Sequence, residues 1–217
     1  MTIVGMDNPS PQDETCFSKE IKYLLYKPKD YNDETPSPLL IFLHGAGERG
    51  DDLELVKIHG PPKVIEGGVD LPFIVASPQV ALNEWWSPST VVWLLKDVQS
   101  RLNVDPDRVY LTGLSMGGYG TWETATRYPT LFAAIAPICG RGNPALAERI
   151  KHLPTWIFHG KKDTVVPFKH SKAMYDALKQ YGNTEFTVYP EADHDSWTES
   201  YENKRLYDWF LSHRRGE

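Results

Sequence analysis

A chain of 217 residues, 41% hydrophobic and 24% charged, has the make-up of a globular protein, and its length suits one larger α/β domain better than two small ones. Lys and Arg number 23 against 29 Asp and Glu, for a net charge of −6, and the basic residues form no stripe, which argues against nucleic acid or an anionic membrane surface as partner. No apolar run approaches the ~18 residues of a membrane span, and residues 1–10 lack the basic and apolar stretches of a signal peptide, so a cytoplasmic protein is expected.

Residues 1–18 are mostly polar, carry Pro9 and Pro11, and read as an N-terminal arm; 19–217 read as the domain. Within Lys19–Lys27 the alternation of Ile21, Tyr23 and Leu25 predicts a half-exposed strand. After the turn-rich stretch Pro28–Pro38, "LLIFL" (Leu39–Leu43) is continuously apolar, the pattern of a strand covered on both faces. "FIVAS" (Phe73–Ser77), "VYLT" (Val109–Thr112), "AAIAPI" (Ala133–Ile138), "TWIF" (Thr155–Phe158) and "FTVY" (Phe186–Tyr189) repeat it. Between these runs lie helical stripes: Val91, Leu94, Leu95, Val98 and Leu102, then Met174, Ala177, Leu178 and Tyr181. Trp197, Tyr201, Trp209 and Phe210 suggest a closing helix, although their spacing fits the helical period less well. Strands alternating with helices predict a single α/β domain, a mostly parallel sheet with helices on both faces.

One junction stands out. "VYLT" runs into Gly113-Leu114-Ser115-Met116-Gly117, and a helical pattern through Tyr128 follows at once. A serine flanked two positions away by glycines, at the sharp turn from strand to helix, has the spacing of a nucleophile elbow. A serine hydroxyl is a poor nucleophile at neutral pH and needs a base, usually histidine, which in turn needs an acid to orient it. His194 in "PEADHDSW" follows the last strand, and Asp163 in "GKKDTVVP" follows "TWIF", so both fall at the same sheet edge as Ser115. Asp193 and Asp195 adjoin His194 too closely in sequence to reach its ring easily, and His159 reads as a structural histidine near the site. The oxyanion hole is expected from the backbone N–H of Met116 and of Ala46 in "HGAGERG", with Gly47 as the rival to Ala46.

These four stretches, "HGAGERG", "GLSMGG", "GKKDTVVP" and "ADHDSW", resemble the α/β-hydrolase superfamily over roughly residues 20–212. Within it the chain is most similar to compact bacterial carboxylesterases of the phospholipase/carboxylesterase and dienelactone-hydrolase-like groups, and it also resembles peptidases of that fold. The resemblance implies Ser115 as nucleophile, Asp163 as acid, His194 as base, and Ala46 and Met116 as oxyanion donors. Dienelactone hydrolases proper use a cysteine nucleophile, so Ser115 disfavours that reaction. Cys16 and Cys139 form no CxxC, and neither metal nor cofactor is expected. Only "CGRGNPALAERIKHLP" separates two strands where many lipases insert a lid, which predicts an open, lidless site. Trp86, Trp85, Gly45 and Gly47 are the expected substrate contacts, Trp86 ahead of Trp85, while Trp197 reads as a helix anchor. The expected activity is hydrolysis of small to medium carboxylic esters, short acyl or aryl, through an acyl-enzyme. A peptidase or acyl-thioesterase is the alternative on the same triad, and a non-catalytic binding protein the alternative of another class.

Overall fold

The computed structural model describes residues 14–17 and 21–216. Eight strands form one sheet: β1 (Glu14–Phe17), β2 (Lys22–Tyr26), β3 (Ser37–Leu43), β4 (Ile74–Gln79), β5 (Val104–Leu114), β6 (Ala134–Ile138), β7 (Thr155–Gly160) and β8 (Thr184–Tyr189). Their order is β1-β2-β4-β3-β5-β6-β7-β8, with β1 and β2 paired antiparallel and every pairing from β4 to β8 parallel. The helices are α1 (Gly60–Glu66), α2 (Pro88–Arg101), α3 (Met116–Arg127), α4 (Lys169–Leu178), α5 (Trp197–Glu202) and α6 (Lys204–Leu211).

The period of two along a strand explains the layering. Leu39, Ile41 and Leu43 of β3 face one core, shared with Val91, Leu94 and Val98 of α2, Trp122 of α3 and Met174 of α4. Leu40 and Phe42 face the other, shared with Ile65 of α1, Tyr201 of α5 and Phe210 of α6. Both faces are covered, so the central strands read as unbroken apolar runs. The strand order reverses between β3 and β5, because the chain moves outward from β3 to β4 and then returns past β3 to β5. Ligands of open α/β sheets bind at such a switch point. Here the loops that leave the C-terminal ends of β3 and β5 are therefore neighbours.

Three features differ from the sequence expectation. Glu14–Phe17, inside the segment read as an arm, pairs with β2 as the edge strand; residues 1–13 and 18 of that arm lie outside the described residues. The closing helix is two helices: Asn203 is extended (φ −79°, ψ 106°) and its side chain accepts from the Arg205 N–H, ending α5 and capping α6. β2, expected to be half exposed, is covered on both faces: Tyr23 and Leu25 lie in one core, Leu24 and Tyr26 in the other. Between β6 and β7 there is a single 3-10 segment, Pro144–Ile150, and no lid domain.

Candidate active site

Ser115 stands between β5 and α3 with φ 51° and ψ −115°, a left-handed conformation that non-glycine residues rarely adopt. Its N–H donates to the Ile138 carbonyl at 3.0 Å, which anchors the turn to β6. The flanking glycines are required by contact: a Cβ on Gly117 would collide with the Leu43 carbonyl, and one on Gly113 with the Gly117 carbonyl. Strand, turn and helix thus touch through backbone alone, and the hydroxyl is pushed out at the sheet edge.

The structure brings Ser115 together with His194 and Asp163. Ser115 Oγ lies 2.9 Å from His194 Nε2, and His194 Nδ1 lies 2.8 Å from Asp163 Oδ2. A carboxylate only accepts, so the imidazole proton is on Nδ1 and Nε2 is left to accept from the serine. Asp163 is buried and takes two further donors on its other oxygen, the N–H groups of Val165 at 2.9 Å and Val166 at 2.8 Å. Asp193 is engaged elsewhere, accepting from the N–H and hydroxyl of Thr164. Asp195 accepts from the N–H and hydroxyl of Thr198 in α5.

His159 is the partner that sequence reading did not pair with the acid. Its Nε2 lies 3.1 Å from Asp163 Oδ2 and 2.8 Å from the Val166 carbonyl, and its Nδ1 lies 2.7 Å from Ser171 Oγ. Two acceptors at Nε2 place the proton there, and burial pushes the ring's pKa down, so a neutral His159 holds the acid from behind. The spacing of four between His159 and Asp163, across the end of β7, was its only sequence signal.

Ala46 opens a 3-10 turn (Ala46–Glu48) after β3, and Met116 opens α3. First-turn N–H groups have no intrahelical acceptor, so both are free to donate to a ligand. Gly45 is different: its own N–H donates to Glu48 Oε2 at 2.7 Å and is already engaged. Gly47 is exposed, with open space around it.

The two tryptophans differ sharply in burial. Trp86 is 4% exposed; its Nε1–H donates to the His44 carbonyl at 2.9 Å and its ring meets that of His44 edge-on at 4.8 Å. It is a core anchor of the loop after β3, and its burial goes against the pocket role expected of it. Trp85 is 62% exposed and sets its edge against Tyr119, one turn into α3 from Ser115. One residue of loop phase decides which indole faces the core. Trp197 packs edge-on against His194 at 5.1 Å, as a wall of the site as well as the start of α5.

His44 is fully buried; its Nε2 accepts from the Val80 N–H at 3.2 Å, so Nδ1 carries the proton and donates to the Gly45 carbonyl at 2.6 Å. Burial lowers its pKa from 6.5 to about 4. Between those values the unfolded chain binds a proton that the folded chain refuses. The stabilisation is therefore complete above pH ~6.5 and is lost as pH falls towards ~4, by about 3 kcal/mol at the limit. Urea unfolding of the wild type at neutral and acid pH should show this loss, and His44→Gln should show a smaller one. Equal acid sensitivity of the two proteins would disprove the assignment.

One cluster of potential metal ligands occurs among the described residues: Cys139, Asp163 and His194, with ligand atoms within 4.8 Å. Asp163 and His194 are already bonded to each other, and burial pushes the free Cys139 thiol far up, which keeps it neutral and a poor ligand. Among the described residues, no helix is long and apolar enough to cross a membrane.

A strained serine between β5 and α3, a histidine after β8 and an aspartate after β7 define the α/β-hydrolase class. The chain matches the dienelactone hydrolase family over residues 89–207, more than half its length, and belongs to that family. It is 26% identical over 182 residues to a bifunctional acetylxylan esterase/xylanase of Neocallimastix patriciarum, covering 80% of this chain and 26% of that protein. A carboxylesterase of Arabidopsis thaliana is 28% identical over 160 residues, 68% of this chain and 66% of its own length. The crystal structure of a thermostable esterase aligns with a TM-score of 0.79 at 35% identity, over 90% of this chain and 60% of that one. The chain thus spans about a quarter of the first relative's length.

Proposed function

We propose that the protein is a serine carboxylesterase acting on small to medium esters with short acyl or aryl groups. The observation that carries this reading is the continuous chain from Ser115 Oγ through His194 to Asp163, with contacts of 2.9 and 2.8 Å. In the reaction Ser115 Oγ attacks the ester carbonyl carbon while His194 Nε2 takes the hydroxyl proton. The carbonyl electrons move onto oxygen, where the Ala46 and Met116 N–H groups receive the charge. Collapse breaks the ester C–O bond, and the departing alkoxide takes the proton from His194. A water molecule then repeats the sequence on the acyl-enzyme, releasing the acid and restoring Ser115.

The substrate size rests on what surrounds the serine. Among the described residues no lid insert lies between β6 and β7, and exposed Trp85 packs against half-buried Tyr119, one turn into α3 from Ser115. Rigid aromatic walls favour compact apolar groups at low entropic cost.

Covalent labelling by a fluorophosphonate, mapped to Ser115, tests the mechanism. Rates on p-nitrophenyl esters from acetate to decanoate, beside a matched anilide and thioester, test the substrate. The expected result is labelling at Ser115, highest kcat/KM on the shorter esters, and a smooth rise with no jump at the solubility limit. Preference for the anilide or thioester would replace the esterase reading by the peptidase or thioesterase one. A jump at the solubility limit would refute the open site.

A further inference from the structure

The peptide that carries the Ala46 N–H joins Gly45 to Ala46, and side chains hold it on both sides. Its carbonyl is 2.6 Å from His44 Nδ1. The preceding N–H, that of Gly45, donates to Glu48 Oε2 at 2.7 Å. Glu48 is 7% exposed, unusual for a carboxylate, and its backbone carbonyl accepts from Gln79 Nε2 at 2.8 Å. Its second carboxylate oxygen lies 3.9 Å from His59 Nε2. The His59 ring meets Trp197 edge-on at 5.3 Å, and Trp197 in turn meets His194. A Cβ on Gly45 would sit 3.0 Å from Glu48 Oε2 and 3.7 Å from the Ser115 Cβ, so carboxylate, loop backbone and nucleophile are packed side by side.

A negative charge beside a developing oxyanion opposes it. The benefit of Glu48 must then lie in where it places the donors. We propose that Glu48 is a positioning residue: by taking up the Gly45 N–H it turns the next N–H, that of Ala46, towards the acyl oxygen above Ser115. His59, 3.9 Å from the other carboxylate oxygen, lies between Glu48 and the Trp197 indole that walls His194. The inference rests on the serine-esterase reading and adds a residue that touches neither substrate nor triad.

Three proteins test it: wild type, Glu48→Ala and Glu48→Gln, each assayed for kcat and KM on p-nitrophenyl butyrate and for the rate of fluorophosphonate labelling. Misplacing one donor weakens the transition state and leaves ground-state binding alone, so Glu48→Ala should lose roughly 10- to 100-fold in kcat with KM little changed. Labelling should slow in the same proportion. Glu48→Gln keeps an acceptor for Gly45 and should restore most of the rate. If Glu48→Ala fails to fold, Glu48→Asp, one methylene too short to reach Gly45, replaces it in the comparison with the same loss expected. A full-rate Ala or Asp variant, a loss confined to KM, or a Gln variant as slow as Ala would each overturn the role. Wild type labelled at Ser115 together with an equally fast Glu48→Ala sinks only the positioning role; wild type that is never labelled sinks the esterase reading with it.

Discussion

Ser115→Ala should lower ester turnover by about five to six orders of magnitude, leaving a residual rate roughly a thousandfold above water from the oxyanion donors and binding. The loss is this large because the covalent route disappears: Ala offers His194 no proton and the acyl carbon no oxygen. Stability should change little. The left-handed backbone at Ser115 is imposed by the contacts of Gly113 and Gly117 and by the bond to Ile138, none of which involves the hydroxyl. Among the described residues, the only side-chain bond lost is the one to His194 Nε2. Steady-state assays beside thermal unfolding of the purified variant separate the two effects. Turnover within tenfold of wild type would remove Ser115 from the mechanism.

Asp163→Asn should cost about 10⁴-fold in kcat, through the tautomer of His194. The Val165 and Val166 N–H groups both point at Oδ1, which obliges the amide to place its oxygen there and its NH₂ towards the two histidines. An NH₂ facing His194 Nδ1 makes that nitrogen an acceptor, so the ring proton moves to Nε2 and the serine loses its base. The same NH₂ faces His159 Nε2, whose proton is also required by the Val166 carbonyl. That donor-to-donor conflict should cost about 1–3 kcal/mol of stability, so the variant should melt lower as well as turn over slowly. Asp193→Asn is the control, since an amide oxygen still accepts from Thr164. An active Asp163→Asn beside a dead Asp193→Asn would show that the acid has been misassigned.

Sequence and structure agree where the governing physics is local or periodic. The apolar runs marked the strands because both sheet faces are covered, and the stripe from Val91 to Val98 marked α2 because one face of that helix is buried. The elbow was legible because strand, tight turn and helix occupy consecutive residues, and the glycines that let them touch lie two positions from the serine. His194 and Asp163 could be named because a parallel sheet brings the loops after β7 and β8 to one edge. The break between α5 and α6 was harder to see, since Trp197, Tyr201, Trp209 and Phe210 pack on one core from two separate helices.

What the sequence by itself determined is the doubly covered parallel sheet, the serine at its turn, and the order Ser115, Asp163, His194 along the chain. Periodicity and turn chemistry carry those, and they act within a few residues. Tertiary structure alone decided that Trp86 is core and Trp85 exposed, that His159 shares Asp163 with His194, and that Glu48 and His44 both bond to the Gly45 backbone in the loop after β3. It also decided that Gly60, Pro61 and Pro62 open a helix, stable because Ile65 packs into the core that Tyr201 shares. The physical reason is that side-chain direction in an aperiodic loop is set by whichever distant element packs against it. A hydrogen bond between residues far apart in sequence leaves no repeating pattern along the chain.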